Sequence, residues 1–164
     1  MHDSVRDWIA KRLPLIEGPR VCELGSYDVN GSVRPLIAVL KPIEYVGIDL
    51  REGPGVDVVA DVSSGVLPDR HGQFDIVIST ETLEHVQSWK LFLAEMKRLA
   101  KLGGHLFLTC RSPGFVIHDY PGDYWRFTVE QIGETFSDCE IQELVSDPEA
   151  PGVFLHAINS VGQL

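Results

Sequence analysis

At 164 residues the chain has the length of one compact domain and is too short for two of ordinary size. Hydrophobic residues make up 44% of it and charged residues 23%, a balance that argues against disorder. Fourteen Lys and Arg against 24 Asp and Glu leave a formal net charge of −10, which does not suit a surface built for nucleic acid or anionic membrane.

The opening MHDSVRDWIAKRLP mixes both charges in an amphipathic pattern, unlike a signal peptide. Val5, Trp8, Ile9 and Leu13 recur at helical spacing, Asp3 or Ser4 can cap, and Pro14 stops the run; this predicts a short helix over 3–13. Brief apolar runs then follow at 20–24, 45–50, 74–79 and 105–110, bounded by Gly, Pro or acid, and read as buried strands. Residues 56–59 are a further short candidate. Helical patterns lie between them at 32–40, at 89–102 with Gly103 as the stop, and at 128–136, where Thr128 and Gln131 have capping-box spacing. The tail offers strands at 140–145 and 153–159 around a turn at 147–152, hence a hairpin. Cys22, Cys110 and Cys139 form no CxxC pair and read as reduced thiols of a cytoplasmic protein. No apolar stretch approaches the ~18–20 residues of a membrane span.

Alternating strand and helix predicts an α/β fold with a mostly parallel sheet covered on both faces, closed by the C-terminal antiparallel hairpin. Ligands of such sheets lie beyond the carboxyl ends of the strands, near the switch in strand order. The informative residues stand there. VCELGSYDVNGS carries Glu23 within the strand, Gly25 at the turn and Gly31 before the next helix, so a ligand can approach the backbone. Asp49 ends the second strand, where a carboxylate can accept both hydroxyls of a ribose. Asp61 follows the third and can reach the amino group of an adenine.

This ordered series resembles the class I S-adenosylmethionine-dependent methyltransferases, particularly the small "type 11" domains, over about residues 20–145. ELGSYDVNGS is similar to the family's nucleotide loop, YVGIDL to its ribose acid and VVADV to its adenine side. FDIVISTETLEHV matches the fourth strand and loop, and EMKRLAKLGGHLFLT the helix, Gly-Gly turn and fifth strand. One departure stands out: Tyr27 occupies the place of the usual second Gly, although members with an extended loop ending in Asn-Gly exist. The absence of G-x-G-x-x-G also counts against a nicotinamide cofactor. The resemblance implies a Rossmann-like three-layer sandwich, a single methyltransferase domain over 1–164 with its core at 20–160, and S-adenosylmethionine as cofactor. It places Glu23, Gly25, Ser26 and Gly31 at the first loop, with the methionine end against Glu23 and Gly25. Asp49 holds the ribose, Leu50, Asp61 and Val62 adjoin the adenine, and Thr80 borders the site.

Two segments are candidates for handling the acceptor. Glu81-Thr82-Leu83-Glu84-His85 spells ExxEH, which on a helical turn converges two carboxylates and an imidazole, a set suited to a divalent metal. It resembles the metal motif of small-RNA 3′-terminal 2′-O-methyltransferases and ubiquinone-pathway O-methyltransferases, with His118 as a further ligand. Without metal, His85 is a cofactor-side hydrogen-bonding residue or an acid/base group. The second segment, SPGFVIHDYPGDYWRFT at 112–128, supplies His118 as a base and Tyr124 and Arg126 as acceptor-binding residues, Arg126 by gripping a carboxylate or phosphate. The alternative is that the aromatics pack the loop down and Arg126 pairs with Asp123 or Asp119.

These residues point to methyl transfer onto a small molecule or glycan, at oxygen rather than carbon, with a homodimer completing a shallow site. Two other readings stand beside it: a metal-assisted RNA 2′-O-methyltransferase, which the net charge opposes, and a non-catalytic cofactor-binding partner protein.

Overall fold

Strands buried on both faces can satisfy their amides only through neighbouring strands, and this constraint assembles the apolar runs into one sheet. The computed structural model describes residues 2–65, 67–118 and 122–161. Its strands are β1 (Arg20–Leu24), β2 (Glu44–Asp49), β3 (Val58–Val59), β4 (Phe74–Thr80), β5 (Ala100–Arg111), β6 (Glu140–Ser146) and β7 (Gly152–Ile158). They form a seven-stranded sheet in the order β3-β2-β1-β4-β5-β7-β6. The first five run parallel, and β7 lies antiparallel between β5 and β6, as the predicted hairpin requires. The chain runs outward from β1 to β3, then returns to β4 on the other side of β1. That reversal opens a crevice at the carboxyl ends of β1 and β4.

Helices cover both faces. On one, α1 (Asp3–Ala10) buries Val5, Trp8 and Ile9 against Phe107 and Phe154, beside the short α2 (Arg34–Ile37). On the other lie α3 (Trp89–Leu99) and α4 (Val129–Thr135), packed over Phe74, Val77 and Leu106. The capping box of α4 forms as its spacing predicts, with Thr128 and Gln131 bonding each other's amides. Among the described residues, no helix is long and apolar enough to cross a membrane.

Several boundaries differ from the sequence expectation, each for a physical reason. Helix α1 ends at Ala10 rather than 13, since Pro14 disfavours helix at Leu13 and the Arg12 side chain reaches across to Glu143. Its N-cap is His2, neither Asp3 nor Ser4. The 32–40 helix starts at Arg34, with Pro35 in its first turn, and tightens into a 3-10 turn over Ala38–Leu40. Helix α3 stops at Leu99, not 102. Its last carbonyls bond the Asn159 side-chain amide, which reaches Lys97 O at 2.9 Å and Ala100 O at 3.2 Å from the end of β7. Gly103 and Gly104 accordingly sit within β5, where the register slips between Phe74 and Ile76.

Glu23 is buried in β1, and its carboxylate accepts a 2.6 Å hydrogen bond from the Tyr45 hydroxyl. Burial pushes it up to about 7 from 4.5, although the Tyr45 hydrogen bond and the Arg34 charge pull the other way. The fold therefore holds this proton more tightly than the unfolded chain does. Stability should fall as pH rises from about 4.5 to 7, by about 3 kcal/mol from this group. Glu23→Gln should gain on the wild type by that amount between pH 4.5 and 8 in urea unfolding; a constant difference would show a carboxyl that ionises normally.

Candidate active site

At the reversal the backbone leaves β1 through Gly25, which has φ +79° and whose amide donates to Ile48 O at 2.8 Å. A Cβ there would strike the Thr82 side chain at 2.1–2.7 Å, so only glycine lets the two loops meet. Tyr27, in place of a second glycine, lays its ring against Gly53, where a Cβ would collide with it at 2.0 Å. Its backbone remains available, and the Tyr27 amide donates to Asp49 Oδ2 at 3.2 Å. The Arg51 amide donates to Asp49 Oδ1 at 3.3 Å. Two backbone donors thus fix the carboxylate while leaving acceptor capacity on both oxygens.

A cavity of about 850 Å³ opens over these residues, near the upper end of the roughly 300–1,000 Å³ range of ligand pockets. Gly25, Asp49, Leu50, Asp61 and Val62, residues of the cofactor motifs, are among those that line it. Asp61 also shapes the local backbone, because its Oδ1 caps the turn Val62–Ser64 by accepting from Ser63 N and Oγ. Glu81, His85, His118 and Tyr124 line it as well. Arg51, Ser63, Thr82 and Phe92 also line it without having been expected there, and so does Tyr27, which the sequence marks only as a departure from the glycine pattern. Phe92 had a signal too, lying next to Leu93 and Leu91 in the amphipathic run of α3.

Other expected residues stand outside the lining. Glu23 faces Tyr45 beneath the loop, because strand alternation turns it away. Ser26 is buried against Gly47 and Gly55. Gly31 is exposed and closes a turn onto Asp28 Oδ1 at 2.8 Å. Thr80 contributes only its carbonyl, which accepts from Thr82 Oγ1 at 3.0 Å.

The acceptor end differs more. ExxEH does not share one helical face, since only Leu83–His85 form a 3-10 turn and Glu81 is left-handed at φ +49°. Glu81 forms an ion pair with Arg111, itself buried and bonded to Asp147 Oδ2 at 3.2 Å. That pairing removes Glu81 from the expected metal set. Glu84, His85 and His118 do converge, with one potential ligand atom of each within 4.8 Å of the others. Glu84 is fully buried, neither carboxylate oxygen finds a partner among the described residues, and burial pushes it up to about 7. The His85 Nδ1 meets Gly122 O, and burial lowers its pKa. His118 stands edge-on to it, ring centroids 4.8 Å apart.

Asp123 organises the 112–127 loop. Its carboxylate takes Arg126 on both oxygens, the His118 amide at 2.9 Å and His118 Nδ1 at 3.2 Å. The Arg126 hydrogen bonds hold it down to about 2. Arg126 also donates to the carbonyls of Phe115, Val116 and Trp125, which exhausts its fork. The expectation that Arg126 grips an acceptor anion is therefore corrected: it braces the loop. Asp119, its alternative partner, lies outside the described residues.

A family model described as a methyltransferase domain matches residues 1–147. Among curated proteins, phthiotriol/phenolphthiotriol dimycocerosates methyltransferase 1 of Mycobacterium ulcerans (strain Agy99) is 27% identical, over 77% of this chain and 50% of its own. The chain spans about half the length of the curated relatives it matches. Among solved structures, Burkholderia thailandensis 1,6-didemethyltoxoflavin-N1-methyltransferase, with 1,6-didemethyltoxoflavin and S-adenosylhomocysteine bound, superposes with a TM-score of 0.76 at 15% identity. That match covers 97% of this chain and 78% of the other. A SAM-dependent methyltransferase from Aquifex aeolicus gives 0.69 at 17% identity, covering 94% and 89%. At such identities the solved structures speak for the fold, and the family model speaks for descent. The chain belongs to the methyltransferase-domain family.

Proposed function

We propose that the chain transfers the methyl group of S-adenosylmethionine to a hydroxyl oxygen of a small molecule. The observation that carries this reading is the Asp123–His118 pair on the cavity wall. With a carboxylate 3.2 Å from Nδ1, the imidazole keeps its proton there and leaves Nε2 as a base. His118 Nε2 would take the proton of the acceptor hydroxyl, and bound S-adenosylmethionine would supply the methyl group to the oxygen so freed. A base of this kind matters for a hydroxyl and is superfluous for an acceptor without a proton to lose.

The cofactor's fit rests on Asp49. Its two oxygens have one backbone donor each and can take the ribose hydroxyls, while Leu50, Asp61 and Val62 adjoin the adenine and Gly25 the methionine end. The named relatives act on small molecules: phthiotriol and phenolphthiotriol dimycocerosates in one case, 1,6-didemethyltoxoflavin in the other. This supports a small-molecule acceptor over RNA.

A divalent ion at Glu84, His85 and His118 is a second reading, favoured by their convergence and by the unpartnered Glu84 carboxylate. The ligand atoms would have to close by about 1 Å to meet an ion at bond lengths near 2.1 Å. Elemental analysis decides it: a stoichiometric ion that Glu84→Gln removes supports the metal, and full activity in metal-free protein ends it.

Asp49→Ala should weaken S-adenosylmethionine binding at least about tenfold in calorimetry, since charged hydrogen bonds are each worth about 1.5–3 kcal/mol. Unchanged affinity would refute the ribose assignment. His118→Ala should lower kcat by about 10²–10⁴-fold while cofactor affinity stays within about twofold. A parallel loss of affinity and turnover would remove His118 from the base's role.

A further inference from the structure

We infer that Phe115 is a positioning residue for His118: its ring, seated on the buried Arg111 guanidinium, fixes the plane of the imidazole beside the cavity. The inference rests on His118 acting as the base, as proposed above, and adds the group that holds that base in place.

His118 needs such a support. Its side chain is 45% exposed. Among the described residues, its polar contacts are made at Nδ1, 3.2 Å from the Asp123 carboxylate and 3.4 Å from the Val116 carbonyl. A tether at one ring atom fixes the proton there but lets the ring swing about it, and each swing moves Nε2. A reacting atom displaced by about 1 Å can lose about 10²-fold in rate. Packing must therefore hold the plane. His85 stands edge-on at 4.8 Å between ring centroids, and Phe115 at 5.6 Å with the two planes 73° apart. Edge-to-face contacts of this kind are what aromatic quadrupoles favour.

Phe115 can serve because it is itself held on several sides. The Arg111 guanidinium lies over its ring at 4.4 Å, where the negative face attracts a cation. Arg111 is buried and shared between Glu81 and Asp147, so it cannot follow a ring that moves away. The His2 ring meets Phe115 edge-on at 5.9 Å. The backbone is tied as well: the Phe115 amide donates to Ser112 O at 3.1 Å, and its carbonyl accepts from Arg126 Nε at 3.3 Å. Phe115 is not among the residues that line the cavity, so its effect on the chemistry passes through His118. The contacts Asp147–Arg111–Phe115–His118 join the C-terminal hairpin turn to the proposed base.

The test compares the full chain with Phe115→Leu, which keeps an apolar side chain without the ring, and Phe115→Tyr, which restores the ring. Each is saturated with S-adenosylhomocysteine, and NMR of the His118 ring nitrogens reads the tautomer. In the wild type the Nδ1–H form should predominate, with nuclear Overhauser contacts between the His118 and Phe115 ring protons. Phe115→Leu should raise the Nε2–H form about two- to tenfold, the worth of one aromatic pair, and Phe115→Tyr should return it to the wild-type level. A side chain that only packs the loop would lower the unfolding midpoint of Phe115→Leu and leave the tautomer unmoved, which would overturn the inference. Should Phe115→Leu fail to fold, the wild type decides: mixed tautomers, or no contact between the two rings, overturn it equally. Turnover of labelled S-adenosylmethionine with phenol separates this inference from the reading beneath it. In Phe115→Leu, kcat should fall about two- to tenfold while KM for the cofactor stays within about twofold. A released imidazole with unchanged kcat would leave the ring support standing and remove His118 as the base. An unmoved tautomer would remove Phe115 and leave the base in place.

Discussion

Two backbone amides, those of Tyr27 and Arg51, hold the Asp49 carboxylate at the carboxyl end of β2, beside β1. Much of the cavity follows from that placement. The amides can reach it only because the chain leaving β1 lies close against β2, with Gly25 and Ser26 both donating to Ile48 O. That approach in turn requires bare backbone at Gly25 and Gly47, where a Cβ would meet Thr82 or Ser26 well inside contact distance. A carboxylate fixed by dipoles costs no reorganisation when a ligand's hydroxyls arrive, and preorganisation of this kind is the main lever a static site has.

The two ends of the cavity are built differently. The cofactor end uses strand termini and the turns directly after them, so its geometry is that of the sheet. The acceptor end is made of the 81–88 and 112–127 segments, whose positions depend on buried charge pairs. Arg126 with Asp123 shapes the loop, and Arg111 ties Glu81 to Asp147 in the distant hairpin turn. From sequence, Arg126 looks like an anion-binding group. Once the partners of both arginines are counted, they brace the wall.

What the sequence made legible divides along the same line. Apolar runs buried on both faces announced β1, β2, β4 and β5, and the acid after β2 was readable because ligand-facing residues of parallel sheets follow strand ends. The capping box at Thr128 was local and therefore visible. By contrast, the end of α3 is set by Asn159, which lies 62 positions beyond Lys97, and no local pattern reveals such a cap. Glu81 escaped the helical spacing of ExxEH because its backbone turns left-handed and its charge finds Arg111. Glu23, a residue that the family motif places beside the cofactor, faces Tyr45 instead. Tyr27, a departure from the glycine pattern, proved structural: its ring rests where Gly53 makes room.

The most direct measurement is a crystal structure of the chain with S-adenosylhomocysteine. Both ribose hydroxyls should lie within hydrogen-bond distance of the Asp49 carboxylate, with the sulfur turned toward His118. A nucleoside bound away from Asp49, or a sulfur facing away from the two histidines, would contradict this assignment.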